Sequence, residues 1–399
     1  MSEAPWLTII GLGEDAPEGL PSASLAALQA AEIIMGPPRH LALLPEVSAQ
    51  VIAWPVPFAK GVEQLISMRG RRVVALASGD PFWFGAGTSI SRDLARGEWT
   101  ALPSPSTFSL VAAQMGWPLE KSGCFGLHAA PLSRLRPVLA KGARMIVLLR
   151  DGAAVQALGA YLVEAGFDTS CLHVFEAIGG PRAQITATTA ADVLQAEFTH
   201  PVCVALEVAG TGAALPLATG RPDDWFDSDG QITKRPIRAL TLSALAPRPF
   251  EHLWDIGGGS GSIGIEWLLS HPSLRATTVE PRAERAARIQ QNAANLGVDR
   301  LEVVHGGAPE VLADLARPDV VFIGGGLSAE MIDWLAANLA AGTRIVANAV
   351  TLESEAMLTH AQSRFGGDLM RVELAHAAPL GGRTGWKSRY PVVQWSVTL

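Results

Sequence analysis

A glycine-rich loop followed by an acidic residue carries the strongest chemical signal in the sequence. The loop reads Asp255-Ile256-Gly257-Gly258-Gly259-Ser260-Gly261 and lies between a predicted strand and a predicted helix. Glycines are needed where a ligand approaches the backbone closely, and the start of the helix presents free N–H groups. Glu280 ends the next predicted strand about 20 residues later, where a carboxylate can accept both ribose hydroxyls of a nucleoside. The spacing therefore predicts an adenosine-containing cofactor.

The order of acid and glycines in this loop favours S-adenosylmethionine over a dinucleotide. The loop has the form D-x-G-x-G-x-G rather than G-x-G-x-x-G. Asp255 would be poorly placed beside a pyrophosphate, because both are negative, and well placed near the ammonium group of an amino acid. NAD binding and a glycine-rich turn without a ligand are the two alternatives.

Three segments in the first half of the chain combine glycine, hydroxyl and carboxylate groups at predicted strand ends. Gly11 and Gly13 follow the first predicted strand, a pattern that is also typical of a tight turn without a ligand. After the predicted strand over 72–77, a flexible glycine stands beside a carboxylate and aromatic rings that can wall an apolar pocket. That group comprises Ser78, Gly79, Asp80 and Trp83. The third segment, Pro103-Ser104-Pro105-Ser106-Thr107, adds further hydroxyl groups.

Short apolar strands alternate with amphipathic helical stretches along the chain, which predicts an α/β fold with parallel sheets. In the first half, strands are predicted over 7–12, 72–77, 145–149 and 202–208, with a helix over 22–34. In the second half, strands over 252–256, 275–279, 301–305, 320–323 and 344–348 alternate with helices that include 260–269 and 282–296. Two last strands, 369–374 and 392–397, flank a loop rich in glycine and arginine.

A change of composition separates the two halves. Residues 210–231 mix Gly, Pro, Asp and Ser without periodicity, which is typical of a linker. We therefore predict a first domain over 1–215, a linker and lead-in over 216–235, and a second domain over 236–399.

Composition excludes several classes of protein. The 399 residues are 48% hydrophobic and 17% charged, which is typical of a globular chain and excludes disorder. A net charge of −7 argues against a broad basic face for nucleic acid or anionic lipid. The three cysteines lack metal-ligand spacing, and no apolar run is long enough to span a membrane. We expect a cytoplasmic enzyme that binds no metal, no nucleic acid and no membrane, and low charge favours a homo-oligomer.

Two segments around the glycine loop carry a family resemblance. The lead-in Gln231–Leu242, with its I-T-K-x-x-x-R pattern, the loop itself and Gly306–Glu310 resemble, in this order, the decarboxylating precorrin C15-methyltransferases. The resemblance implies a Rossmann-like, S-adenosylmethionine-dependent methyltransferase domain. It also implies that the cofactor site includes Thr233, Gly257, Gly258, Gly259, Ser260, Gly261, Glu280 and Ala308.

The first half resembles the tetrapyrrole methylases over residues 7–208. Leu127-His128 and Phe175-Glu176-Ala177-Ile178-Gly179-Gly180-Pro181 are similar to the precorrin C5-methyltransferases within that group. The resemblance implies cofactor contacts at Ser78, Gly79, Asp80, Trp83, Ser106 and Thr107, beside Gly11 and Gly13.

With both halves in this order, the chain resembles the fused, decarboxylating precorrin C5,15-methyltransferases of cobalamin biosynthesis. The resemblance implies methylation of a precorrin at C5 and C15 and decarboxylation of its C12 acetate, from precorrin-6B to precorrin-8. The alternatives are a two-site methyltransferase acting on another tetrapyrrole or acidic small molecule, and a scaffold that binds nucleotides without chemistry.

A substrate with many carboxylates requires cations in its binding site. Arg383 and Lys387, on the loop rich in glycine and arginine, are the candidates in the second half. Glu266, in the helix after the glycine loop, is the candidate acid or base. Weaker candidates in the first half are His128, Arg134 and Arg182.

Overall fold

The computed structural model describes residues 5–399, which form two compact units. The first unit contains the described residues up to Pro131 together with Ala140–Ala213. The second contains Leu132–Leu139 and Ala214–Leu399. No helix of the described residues is both long enough and apolar enough to cross a bilayer.

The short segment Leu132–Leu139 belongs to the second unit, although the sequence interpretation placed it in the first domain. Its side chains explain this assignment. Arg134 forms a two-point ion pair with Asp299, with N···O distances of 2.8 and 2.9 Å. The guanidinium of Arg136 lies 4.6 Å from the ring centre of Trp225. Neither pairing is visible in the local sequence pattern.

The first unit begins with a five-stranded sheet in which every pairing is parallel, in the order β3-β2-β4-β1-β5. Its two central strands, β1 and β4, are almost fully buried apolar runs, as expected for a parallel sheet covered on both faces. The strands are β1 Leu7–Leu12, β2 Ile33–Gly36, β3 Gln50–Ala53, β4 Val73–Ser78 and β5 Trp99–Leu102. The helices are α1 Ser22–Ala30, α2 Pro38–Leu41, α3 Phe58–Ile66 and α4 Gly87–Ser91, with a short 3-10 helix at Arg96–Glu98.

The second sheet of this unit differs from the predicted parallel arrangement. In the order β6-β7-β10-β8-β9, only β6 and β7 are parallel. Strands β8 and β9 are joined by the short loop 177–183, which cannot hold the crossover that a parallel pair requires. The strands are β6 Gly123–Gly126, β7 Arg144–Leu148, β8 Cys171–Glu176, β9 Gln184–Thr189 and β10 Val202–Glu207. The helices are α5 Thr107–Met115 and α6 Gly152–Glu164, with 3-10 helices at Leu119–Lys121 and Asp192–Gln195.

The second unit contains a seven-stranded sheet in the order β13-β12-β11-β14-β15-β19-β16. From β11 the chain runs outward through β12 to β13 and then returns to β14 on the other side of β11. This reversal creates a crevice at the carboxyl ends of β11 and β14, where ligands bind in doubly wound sheets. The strands are β11 His252–Ile256, β12 Arg275–Glu280, β13 Glu302–His305, β14 Val320–Ile323, β15 Arg344–Ala349, β16 Asp368–Val372 and β19 Val392–Thr398.

Five helices cover this sheet, and a separate hairpin extends from its edge. The helices are α7 Arg235–Leu245, α8 Ser262–Ser270, α9 Ala283–Asn295, α10 Ala329–Asn338 and α11 Leu352–Phe365. Short 3-10 helices cover Leu132–Val138, Asp223–Trp225 and Glu310–Asp314. The hairpin consists of β17 Ala375–Leu380 and β18 Arg383–Ser388. The predicted loop rich in glycine and arginine is therefore largely a strand pair.

A buried ion pair attaches the lead-in segment to the helix that follows the glycine loop. Arg238 and Glu266 are both fully buried, and the Arg238 Nε donates to Glu266 Oε1 over 2.7 Å. Arg238 also donates to the backbone carbonyls of Thr233 and Arg221. Glu266 accepts from the backbone N–H groups of Gly220 at 2.7 Å and Arg221 at 2.9 Å. The arginine of the I-T-K-x-x-x-R pattern thus holds the lead-in backbone in place.

We expect Glu266→Gln to lower the free energy of unfolding of the second unit by about 3 kcal/mol, because one partner of a buried ion pair would lose its charge. The new amide group would also face N–H donors. Chemical denaturation followed by tryptophan fluorescence measures the effect.

The matched control is Glu284→Gln, the same substitution at an exposed position of α9 in the same unit. Unchanged stability of the Glu266→Gln variant, together with loss of methyl transfer, would contradict the structural role and restore the predicted catalytic one.

Candidate active sites

A cavity of about 800 Å³ opens at the crevice of the seven-stranded sheet. Its wall includes Gly257, Gly258 and Gly259 of the glycine loop, Glu280 at the end of β12, and the glycines that follow β14. Thr233 and Ala308, which the resemblance implied, also line it. The sequence motifs on both sides of the glycine loop therefore converge on one cavity.

The backbones of two glycine loops touch at the floor of this cavity. A Cβ on Gly257 would lie 2.6 Å from the Cα of Gly325, and the φ angle of Gly257 is +75°. A side chain at this position would meet both a steric and a conformational penalty. Glycine therefore keeps open the space above the ends of β11 and β14.

Glu280 is held with its carboxylate toward the glycine loop. It is 2% exposed, and its Oε2 accepts from the Gly259 N–H at 2.9 Å while its Oε1 accepts from the Arg282 N–H at 3.1 Å. Each carboxylate oxygen can accept more than one hydrogen bond. A buried carboxylate fixed in this way fits a pair of ribose hydroxyls.

Asp255 lies behind the loop and is not part of the cavity wall. Its Oδ2 accepts from the Gly264 N–H at 3.1 Å and from the Thr278 hydroxyl at 3.3 Å, which joins β11, β12 and the first turn of α8. Burial raises the pKa of this carboxyl to about 7, and the nearby charge of Glu280 acts in the same direction. Asp255 thus supports the loop, and its contact with an ammonium group stays a prediction.

Ser260 and Gly261, predicted to contact the cofactor, also lie outside the cavity wall. Ser260 is 1% exposed, and a Cβ on Gly261 would lie 2.6 Å from Ile289 Cγ2. Gly261 has a φ of +76° and allows the loop to turn into α8 against α9. Both residues therefore pack the loop rather than face the cavity.

None of the three predicted catalytic residues lines the cavity. Glu266 belongs to the buried ion pair described above. Its apolar neighbours, which favoured a catalytic role, are those of a packed interior and not of a substrate cavity. Arg383 and Lys387 lie on β18 of the hairpin and are exposed. In the same hairpin region, His376, Arg389 and Tyr390 do line it. The structure thus brings a different cation from this region to the cavity.

Sequence reasoning also missed Asn348, a cavity-lining residue in β15. Its Nδ2 donates to the Thr241 hydroxyl at 2.8 Å, and its Oδ1 accepts from Gln394 Nε2 at 2.9 Å. The position of Asn348 near the carboxyl end of a predicted parallel strand was the signal that could have identified it.

A second cavity, of about 590 Å³, lies in the first unit. Among the predicted cofactor residues, Gly13, Ser78, Gly79 and Thr107 line it. The strands that precede them, β1, β4 and β5, are adjacent and parallel, so their carboxyl ends bring the three segments together. Arg39 and His40, in α2 after β2, contribute polar groups that sequence reasoning missed.

The other predicted residues of this unit shape the cavity from behind. A Cβ on Gly11, near the end of β1, would overlap the carbonyl oxygen of Gly79, so β1 and the loop after β4 touch here through their backbones. Asp80 accepts from the Phe82 N–H at 2.8 Å and fixes a turn. Ser106 accepts from the Ser109 N–H at 3.1 Å and caps α5, and Trp83 stacks on Phe108 at 4.9 Å. These four residues are outside the cavity wall.

Neither cavity contains a candidate metal site. Among residues 5–399, no group of His, Cys, Asp and Glu side chains is arranged so that it could hold a metal ion. His305 contacts the carbonyl oxygen of Pro281 at 3.1 Å through its Nε2.

Comparison with known proteins covers both units. Residues 6–194 match the family described as Tetrapyrrole (Corrin/Porphyrin) Methylases, and residues 224–399 match a Precorrin methyltransferase domain. A Sinorhizobium protein named Precorrin-6Y C(5,15)-methyltransferase (decarboxylating) is 48% identical over 400 residues, which cover 99% of this chain and 97% of that protein. A Mycobacterium tuberculosis protein of the same name is 40% identical over 398 residues, which cover 98% and 99% of the two chains.

A solved structure matches the second half. It is the C-terminal domain of precorrin-6Y C5,15-methyltransferase from Rhodobacter capsulatus, 54% identical, with a TM-score of 0.45. The match covers 46% of this chain and all of that domain (100%). The nearly full-length relatives confirm the resemblance that the sequence motifs indicated, and this chain belongs to the precorrin-6Y C(5,15)-methyltransferase (decarboxylating) family.

Proposed function

We propose that the two units of this chain perform the two parts of the reaction for which its relatives are named. The first unit methylates a precorrin at C5, and the second methylates it at C15 and removes its C12 acetate carboxylate as carbon dioxide. One observation carries this proposal: each unit has its own glycine-lined cavity at the carboxyl ends of parallel strands.

S-adenosylmethionine is the proposed cofactor of both cavities and supplies the methyl group from its sulfonium. In the second unit, Glu280 would accept hydrogen bonds from the ribose hydroxyls, while Gly257 to Gly259 allow the cofactor to approach the backbone closely. In the first unit, the corresponding surface is formed by Gly13, Ser78, Gly79 and Thr107.

Methyl transfer to a reduced tetrapyrrole requires positioning more than base catalysis. The meso carbons of such a substrate are enamine-like nucleophiles. Holding the reacting atoms close together and in line can lower the activation free energy by about 7 kcal/mol. The wall of the cavity in the second unit combines the polar Glu280 with apolar residues, Met331, Val350, Val372 and Val392. This arrangement suits a large ring with a polar donor at one edge.

Decarboxylation requires an apolar environment around the leaving carboxylate. A protonated ring nitrogen within the substrate can accept the electron pair, while the protein removes water and allows the resulting carbon to be protonated. A cation paired with the leaving carboxylate would stabilise it and slow the reaction. We therefore place the C12 acetate against the apolar wall and assign Arg389 to a different carboxylate of the substrate.

We further propose a homo-oligomeric, cytoplasmic enzyme. The hairpin supports assembly, because it exposes two large apolar side chains: Leu380 is 70% and Trp386 80% exposed.

Incubation of the whole chain with precorrin-6B and S-adenosylmethionine, followed by mass analysis, tests the function. We expect the product to gain two methyl groups and to lose one carbon dioxide. Methylation without decarboxylation would contradict the assignment of the second unit, and a product with no added methyl group would contradict the whole proposal.

Arg389→Gln should raise the KM for the tetrapyrrole about tenfold in C15 methylation, because a charged hydrogen bond to a carboxylate is lost. Arg383→Gln and Lys387→Gln on the same hairpin are matched controls, since these two side chains are exposed and lie outside the cavity wall. Steady-state kinetics of the three variants measures the effect. A larger rise in KM for either control than for Arg389→Gln would restore the residues predicted from the sequence.

A further inference from the structure

Two arginines meet one buried carboxylate at the edge of the cavity in the first unit. Glu14, directly after the β1 loop, is 8% exposed. One of its oxygens accepts from Arg39 of α2. The other accepts from Arg182, in the loop after β8, with 3.2 Å between Nη2 and Oε2. Three segments that are distant in the sequence therefore converge on a single carboxylate.

The charges in this cluster do not balance. Glu14 supplies one negative charge against two guanidinium groups, and among residues 5–399 no other carboxylate lies within ion-pair distance of either arginine. His40 Nε2 lies 2.8 Å from Arg39, but it adds no charge, because burial and the charge of Arg39 lower the pKa of His40 to about 3. The cluster keeps one excess positive charge at neutral pH.

This excess charge lies at the edge of the cavity. Glu14 and Arg39 line the wall, whereas Arg182 lies outside it and its side chain is 62% exposed. Arg39 is already engaged by Glu14 and by the Ser78 hydroxyl at 3.0 Å. Within the described part of the chain, Arg182 donates one hydrogen bond, to Glu14. The other N–H groups of its planar guanidinium can therefore donate to a ligand.

A glycine allows the Arg182 loop to reach Glu14. A Cβ on Gly180 would lie 2.6 Å from both the Cβ and the carbonyl oxygen of Glu14. The preceding Gly179 has a φ of +88°, which turns the chain at this point. Glycine at positions 179 and 180 therefore allows the loop after β8 to turn and to pack directly against Glu14.

We propose that Arg182 and Arg39 form a carboxylate-binding site at the edge of the first cavity, with Glu14 as the positioning residue that holds both guanidinium groups. The inference rests on the proposed function, since both ligands of that function carry carboxylates. The source is either an acetate or propionate side chain of the tetrapyrrole or the amino-acid carboxylate of S-adenosylmethionine. The two ligands can be varied independently, which separates these sources.

The test uses the whole chain and measures KM and kcat of C5 methylation for each ligand. Arg182→Gln should raise the KM for one of the two ligands about tenfold and leave the other unchanged. Arg182→Lys keeps the charge but loses the planar pair of donors, and should give an intermediate rise. Glu14→Gln should raise the same KM less than Arg182→Gln, because the arginines remain but are less firmly held.

The matched control is Arg72→Gln, which removes an exposed arginine that is also ion-paired, with Glu32 at 3.6 Å. It stands before β4, at the opposite end of that strand from Ser78. A raised KM for the tetrapyrrole identifies a substrate carboxylate, and a raised KM for S-adenosylmethionine identifies the cofactor. If Arg182→Gln changes neither KM more than Arg72→Gln does, or if Glu14→Gln lowers the affected KM, the proposal is wrong.

A binding measurement separates failure of this inference from failure of the proposed function. Absorbance titration with precorrin-6B and calorimetric titration with S-adenosylmethionine report affinity without turnover. If the wild-type chain binds but transfers no methyl group, the proposed function fails. The comparison of Arg182→Gln with wild type in these titrations still supports or overturns the carboxylate site.

Discussion

Direct contact between two backbone segments at the carboxyl ends of adjacent parallel strands is the constraint on which both candidate sites depend. In the second unit Gly257 meets Gly325 at the ends of β11 and β14, and in the first unit Gly11 meets Gly79 at the ends of β1 and β4. A Cβ at Gly257 or Gly11 would overlap the opposite backbone and separate the two segments. The two units differ in sheet topology but use the same device to form a cavity.

Two of the cations near these cavities are supplied by parts of the chain that lie far from the glycine loops in sequence. Arg389 follows a hairpin near the end of the second unit, and Arg182 follows β8 in the first. A net charge of −7 over the whole chain conceals both. Recognition of a polyanionic substrate can therefore rest on a few local arginines, each fixed by the loop that carries it.

The sequence predicted the parts of the sites that are local in the chain. Gly257, Glu280 and Thr233 belong to motifs whose members are positioned by one strand and the segment beside it, and all three line the cavity. It did not distinguish Arg389 from Arg383, because the fold of the hairpin decides which cation reaches the cavity. That choice depends on strand pairing and not on spacing.

Burial was the second property that local pattern did not reveal. Glu266 among apolar neighbours was interpreted as a catalytic acid or base, yet its partner Arg238 is 28 residues away in the sequence and makes the pair structural. The same reason applies to residues 132–139, whose ion pair with Asp299 spans 165 positions. In both cases a distant partner decides, and no window of the sequence contains it.

We propose that each unit holds its own S-adenosylmethionine. Calorimetric titration of the whole chain tests it most directly, with Glu280→Gln as the variant that alters only the second cavity. We predict two bound molecules per wild-type chain and one per Glu280→Gln chain, with the affinity of the remaining site unchanged. A single molecule bound to the wild-type chain, or loss of both sites on substitution of Glu280, would contradict it.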